Sequence, residues 1–496
     1  MGVTTLLPMG LVLLQIPPPR GPRPPFPPLR PPRPPRTVAI TAGARSVVGK
    51  VVPLAGVQGG PLPWVPGDAD LSRWYRGVVD VVRLGQDSGP NMHTLAAIFP
   101  NIHASPTDPR AYDFSVIDPW IEAALRAGAR PMWEAMYDIG GGDYWTPRGR
   151  FQAGRAPSDL KKWSSTIVHV LMHWNDGWAG GHRWGVDLVE FINEPIGLGG
   201  LRTPERLLEV YGAFAKAIAD YNRRFGHNVK VVGPAVPSSL HRTSEALFRK
   251  FLRFVRKKRL PLDIFSYHSY PGPGAQPLDE YKLAVFIRKL LDSEGFRSTP
   301  IMASEWGGGR PPRWLARDPL LASAYRASYA TVVRILWQGV VDYSIQYRAN
   351  RSPRNLRADG TQYFRYDGAP RPAYFALVTL SEMARETPLR LRTKCPQMPG
   401  FAAMAARSRS GDKVYLLLAN YLEGTLIYTF KVTGLRPNAT FRLEKFVVDR
   451  NTNASQSVTY RWTPIATSLV RADSHGTIVV KDKLPNLTVH YMRLES

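Results

Sequence analysis

Two glutamates carry the chemistry this sequence offers. Glu194 stands in Phe191-Ile192-Asn193-Glu194-Pro195 and Glu305 in Ala303-Ser304-Glu305-Trp306-Gly307. Each follows an apolar, strand-like run, 186–192 and 300–303, and the two lie far apart in the chain. A fold that joins two such strand ends holds two carboxylates across one cleft. That is the equipment for cleaving a glycosidic bond with one general acid/base and one nucleophile. Proline stops the first strand just past its acid, and Asn193 is placed to hydrogen-bond a sugar hydroxyl beside the reacting carbon. A lone Asn-Glu-Pro tripeptide fits a structural turn as well; its pairing with Ser-Glu-Trp-Gly at a second strand end favours catalysis.

Positioning these acids is the task of the surrounding elements. Apolar runs recur at 51–57, 78–84, 130–136, 186–192, 229–232, 262–267, 300–303 and 341–347. Helical patterns at 117–127, 158–174, 204–224, 244–258, 278–294 and 320–338 fill most of the gaps. Eight strands alternating with helices call for a parallel sheet closed into a (β/α)8 TIM barrel, with catalytic groups at the C-terminal strand ends. An open doubly wound sheet would use the same elements without bringing the fourth and seventh strand ends face to face. After a last helix at 374–386 the pattern changes to short alternating strands separated by turn residues, the signature of an antiparallel β-sandwich. The expected organisation is α/β: an arm at 1–36, a barrel at 37–388 and a sandwich at 389–496. Residues 37–52 are a candidate extra strand of the sandwich.

The chain has 496 residues, 44% of them hydrophobic, with 13 Trp, 21 Tyr and 19 Phe, ample for a barrel and a companion domain. Indoles also suit sugars, whose C–H faces stack on aromatic rings. The net charge of +26 brings nucleic acid into consideration. Five of those charges lie in the arm (Arg20, Arg23, Arg30, Arg33, Arg36) and the rest are dispersed, with no zinc-finger spacing, Walker loop or RNA-binding aromatic signature, so no nucleic-acid partner is expected. Cys395 is the only cysteine and excludes an internal disulfide. The apolar stretch 6–16 has the length of a signal core but is too short for stable membrane insertion. The Pro/Arg-rich segment behind it reads as an extended, solvated tract, a signal remnant, or sequence ahead of the true start. Secreted and cytoplasmic locations stay equally open, as does an oligomeric state.

An Asn-Glu-Pro acid/base on the fourth strand with a glutamate on the seventh resembles the clan of retaining (β/α)8 glycoside hydrolases. Within it the chain resembles family 39, the family of β-xylosidases and α-L-iduronidases. The likeness runs over about 37–391, through Tyr112-Asp113-Phe114, Arg130-Pro131-Met132-Trp133-Glu134, Lys161-Lys162-Trp163, Val232-Gly233-Pro234-Ala235 and Phe265-Ser266-Tyr267-His268-Ser269-Tyr270. It implies that Glu194 is the acid/base and Glu305 the nucleophile, that Arg83 at the end of the second strand keeps Glu305 charged, and that no metal or organic cofactor takes part. Asn193, His268, Glu134, Tyr270, Trp306 and Tyr347 are the further residues it implies for the substrate site. Glu134 alternatively pairs with a barrel arginine. One departure stands out: the family's tryptophan near the end of strand eight is replaced in Ser344-Ile345-Gln346-Tyr347-Arg348. Arginines crowd the adjoining loops (Arg310, Arg313, Arg317; Arg348, Arg351, Arg354, Arg357), where they would form a solvated basic face or bind a uronate. The expected partner is an oligo- or polysaccharide, with β-xylosides the leading substrate. Alternatives are a uronidase, a β-glucosidase or galactosidase, an endo-glycanase, or a non-catalytic carbohydrate-binding barrel.

Overall fold

The computed structural model describes residues 35–63, 67–85, 93–136, 157–196, 200–237, 241–271, 275–308, 311, 315–349, 362–421 and 423–496. Most of the arm lies outside these residues, as do Arg310, Arg313, Arg351, Arg354 and Arg357.

The chain enters through β1 (Arg36–Lys50), which belongs to the second sheet, and then lays down eight parallel strands. They are β2 (Gly56–Gln58), β3 (Val81–Leu84), β4 (Arg130–Glu134), β5 (Leu188–Glu190), β6 (Lys230–Pro237), β7 (Ile264–Ser269), β8 (Ile301–Trp306) and β9 (Tyr343–Gln346), closed in that order into a barrel. Around it run α1 (Ser72–Tyr75), α2 (Leu95–Ile98), α3 (Asp118–Arg126), α4 (Leu160–Asn175), α5 (Pro204–Phe225), α6 (His241–Lys258), α7 (Pro277–Ser293), α8 (Pro319–Trp337) and α9 (Pro372–Glu386). The helix ends follow local chemistry. In α5 the Thr203 side chain accepts from the Arg206 amide, Pro204 takes the first turn, and Gly226 at φ 72° ends the helix. Leu207, Tyr211, Phe214 and Ile218 form its buried stripe.

Period-two alternation sorts the strand residues into layers. Val81, Met132, Leu188, Val232, Ile264, Met302 and Ile345, one from each of β3 to β9, make an apolar plug inside the barrel. β2 contributes Gly56 at this level, where a Cβ would sit 2.5 Å from both Ile345 Cδ1 and the Ser344 carbonyl. Residues one position on, including Val82, Trp133, Val189 and Phe265, turn outward into the helix layer. Two positions on from the plug, the interior changes character: Gln58, Arg83, Glu134 and Glu190 all lie buried above it.

The second sheet is built from β1 with β10 (Leu389–Lys394), β11 (Phe401–Arg407), β12 (Lys413–Asn420), β13 (Leu426–Thr433), β14 (Thr440–Val448), β15 (Ala466–Arg471), β16 (Ile478–Leu484) and β17 (Thr488–Glu495). Its order is β15-β14-β17-β12-β11-β10-β1-β13-β16, antiparallel except between β1 and β13. The sheet curls on itself as a sandwich around Ile40, Phe401, Leu416, Phe430, Phe441 and Leu494, and Tyr428 on β13 meets His490 on β17 at 3.1 Å. Its other face joins the barrel's core through Met404, Leu417 and Tyr491. Arg493 of β17 pairs with Glu382 of α9 at 2.6 Å.

Candidate active site

Arg83 is the hub of the site. β3 points it inward two residues above Val81, and it is 1% exposed. Its Nε donates to Glu190 at 2.6 Å, Nη1 to Gln58 at 3.0 Å and Glu305 at 2.9 Å, and Nη2 to Asn193 at 2.9 Å, with Glu134 3.2 Å away. Burial alone works against its charge, but Glu134, Glu190 and Glu305 overcome this and hold the guanidinium above its ordinary value.

Glu305 reaches the interior by a register shift. Simple alternation along β8 from Met302 would turn Glu305 out toward the helices and Trp306 in. The pairing of β7 with β8 instead steps from Tyr267–Ala303 to His268–Glu305, leaving Ser304 as the extra residue of a bulge. Glu305 thereby faces Arg83. Trp306 is driven outward, fully buried, with its indole N–H on Ser344 at 2.9 Å and its ring 4.8 Å from that of Trp337. The expectation that Trp306 contacts substrate is corrected on this point: its ring is core, with no surface open to the cleft.

Glu194 lies four residues beyond the end of β5, in a left-handed conformation with φ 41°, a strained geometry for a side-chain-bearing residue ahead of proline. Its Oε1 meets His268 Nδ1 at 3.2 Å, and the same nitrogen is 3.9 Å from Glu305 Oε2. His268 is wholly buried, and its Nε2 has no hydrogen-bond partner among the described residues, so Nδ1 is the nitrogen that serves the carboxylates. Burial alone pushes Glu194 upward; the hydrogen bond and charge of His268, with the charge of Arg83, outweigh it and hold the carboxyl below its ordinary range. One oxygen each from Glu194 and Glu305, with one His268 nitrogen, lie within 4.8 Å of one another. These three could also serve as ligands to a cation.

Tyr270, just past β7, donates to Glu305 Oε1 at 2.5 Å. Burial, then the Glu305 charge, push its phenol well above the ordinary value, so it remains a donor. Part of the Tyr270 ring stays open to the cleft, and the Tyr347 ring meets it edge-on at 6.2 Å. Arg348 is buried with its guanidinium 4.8 Å over the Tyr347 ring, while Arg317 is exposed. Glu134 pairs with Arg83, the second of the two roles expected for it. Sequence reading overlooked Glu190 and Gln58. The signal was present: each is a polar residue two places beyond a barrel-interior position, Glu190 inside an apolar run and Gln58 directly after one.

The arrangement defines a class of protein, a (β/α)8 barrel with paired glutamates at the ends of its fourth and seventh strands. Residues 93–387, more than half of the chain, match the model of glycosyl hydrolases family 39, and the chain belongs to that family. A β-xylosidase of Geobacillus stearothermophilus is 23% identical over 315 residues, 55% of this chain and 57% of that protein, so the match spans little more than half the relative's length. Among solved structures, a glucosidase from Croceicoccus marinus superposes with a TM-score of 0.73 at 21% identity, covering 93% of this chain and 99% of that one. A monomeric β-xylosidase from Caulobacter crescentus gives 0.65 at 17%, covering 92% and 99%. At these identities the structural likeness is one of fold.

Proposed function

We propose that the protein hydrolyses O-glycosidic bonds by double displacement, with Glu305 as nucleophile and Glu194 as acid/base, and that β-xylosides are its substrates. The observation that carries this reading is the spacing of the two carboxyls, whose nearest oxygens lie within 4.8 Å. Retaining enzymes keep their pair roughly 5–5.5 Å apart, whereas an inverting pair needs about 6.5–9.5 Å to admit a water. In the first step Glu305 attacks the anomeric carbon while Glu194 gives its proton to the leaving oxygen. In the second Glu194 takes a proton from water, which breaks the ester and returns Glu305 as carboxylate. Arg83 and Tyr270 aim Glu305 by holding one oxygen each. A sugar in the cleft excludes water from Glu194 and so strengthens the burial effect that favours its protonated form. The β-xyloside assignment leans on the Geobacillus relative.

A panel of chromogenic aryl glycosides, with Glu305→Ala as blank, identifies the sugar. Glu305→Ala should lose activity on every substrate, and added azide should restore it with inverted product. Glu194→Ala should suffer most where the leaving group needs protonation, while a dinitrophenyl glycoside still glycosylates the enzyme and azide yields a product of retained configuration. Equal losses on good and poor leaving groups for Glu194→Ala would overturn the roles.

A further inference from the structure

A second cluster of chemically competent side chains lies in the helix layer. Asp118 opens α3, His173 lies in the last turn of α4, and His182 follows in the segment leading to β5. His173 Nε2 and His182 Nε2 both face Asp118 Oδ2, at 2.9 and 3.3 Å, and the three donor atoms lie within 4.8 Å of one another.

The surroundings fix which atoms face inward. His173 Nδ1 is 2.9 Å from the Trp178 carbonyl, which can only accept, so Nδ1 carries hydrogen. In the neutral ring, Nε2 then presents a lone pair to a carboxylate oxygen. Acceptor against acceptor at 2.9 Å requires a hydrogen or a cation between them, that is, a further proton or a metal ion. Ligand bonds of about 2.0–2.2 Å at angles between octahedral and tetrahedral separate neighbouring donors by roughly 2.9–3.4 Å, the range in which both contacts fall. The outer contacts are those of a built site: Trp174 Nε1 donates to Asp118 Oδ1 at 3.0 Å, orienting the carboxylate. His173 stacks on Phe114 at 3.5 Å, and His182 on Trp184 at 3.6 Å. Gly181 lets the returning chain press against the first ring, since a Cβ there would lie 2.1 Å from the His173 carbonyl and 2.5 Å from its Nδ1.

We infer that Asp118, His173 and His182 form a binding site for a divalent transition ion of the zinc class, with water completing its shell. Two imidazoles and a carboxylate suit zinc, cobalt or nickel better than calcium or magnesium, which prefer all-oxygen sets. The ion would clip α3, α4 and the segment after α4 together. It would act on stability, apart from the Glu194–Glu305 pair.

The test uses the tag-free full chain after chelator treatment, titrated with zinc chloride by calorimetry and followed by thermal unfolding. One zinc per chain should bind and raise the melting temperature by a few degrees. His182→Gln should weaken that binding by at least about tenfold and abolish the rise, while Glu194→Gln leaves both intact. Zinc-edge X-ray absorption on the loaded wild type counts imidazoles independently of any variant. Two nitrogens support the site, whereas one places the ion at the Glu194–His268–Glu305 cluster and overturns it. No binding below about 1 mM zinc, a weakness outside the range of a structural site, or equal affinity in His182→Gln, means that a proton alone occupies the gap and also overturns it.

Discussion

Replacing Glu280 by glutamine should make the protein more stable at neutral pH, by an amount that grows with pH. Glu280 is buried on α7, accepts from Ser269 at 2.5 Å, and takes a long contact from Tyr329 at 3.5 Å. Burial pushes its carboxyl from 4.5 up to about 8, with the hydrogen bonds opposing. Below about 4.5 the group is neutral in both folded and unfolded chains. Between 4.5 and about 8 the folded chain holds a proton that the unfolded chain has released, so stability falls by about 1.4 kcal/mol per pH unit. Integrated over that interval, the loss is on the order of 5 kcal/mol, and it levels off above the folded value. Glutamine does not titrate and keeps an acceptor for Ser269, which sits between His268 and Tyr270. Urea denaturation of wild type and Glu280→Gln, at half-unit steps from pH 5 to 8.5, should show the gap widening in the variant's favour and then flattening. A gap that stays constant across pH 5 to 8 would falsify the reasoning, since Glu280 would then be ionised, or solvated, in the folded chain.

Three further outcomes are expected. On the proposed roles, His268→Gln removes the hydrogen bond and charge that hold Glu194 low, so the alkaline limb of kcat/KM, which would report the proton on Glu194, should move to higher pH; a limb that stays in place means another group titrates there. Tyr270→Phe deletes the 2.5 Å hydrogen bond to Glu305. A bond to a charged acceptor contributes about 1.5–3 kcal/mol, so kcat/KM should fall roughly ten- to hundredfold with little change in melting temperature, as steady-state kinetics and calorimetry will register. Trp306→Ala should lower stability by about 3–5 kcal/mol, and the milder Trp306→Phe should leave KM for aryl glycosides near wild type. A raised KM in the phenylalanine variant without loss of stability would put the indole in contact with substrate.

Eight apolar runs sufficed to foresee the barrel because parallel strands covered by helices are apolar on both faces, and that pattern survives in sequence. Arg83, Glu134 and His268 were legible through the family resemblance, which named them at the ends of the second, third and sixth strands. The register of β8 was not legible. The extra residue Ser304 exchanges the faces of Glu305 and Trp306, and it shows only in the pairing with β7. β10 and β15 escaped notice because they bury little. β15 is exposed along most of its length at one sheet edge, with Leu469 pointing to solvent, so it lacks the alternation that reveals a half-buried strand. The Asp118–His173–His182 cluster has no sequence signature either, because its members are separated by 55 and 9 residues and meet only through helix packing.

The company Arg83 keeps bears on how the proposed double displacement can run beside a buried guanidinium. In the proposed mechanism, glycosylation of Glu305 turns its carboxylate into a neutral ester. Were Glu305 the only acid on Arg83, that step would strand a buried guanidinium, and breaking such a pair by removing one partner costs about 3–5 kcal/mol. Glu190 at 2.6 Å and Glu134 at 3.2 Å remain on Arg83 whatever Glu305 does. They sit on neighbouring strands, paired at the same level of the barrel. The guanidinium therefore keeps two compensating acids and its orientation through the whole cycle, and its bond to Glu305 can weaken and re-form without the core paying for an uncompensated charge. On this reading the two buried glutamates, which never need touch a sugar, are what allow a fully buried arginine to serve a group whose charge must come and go.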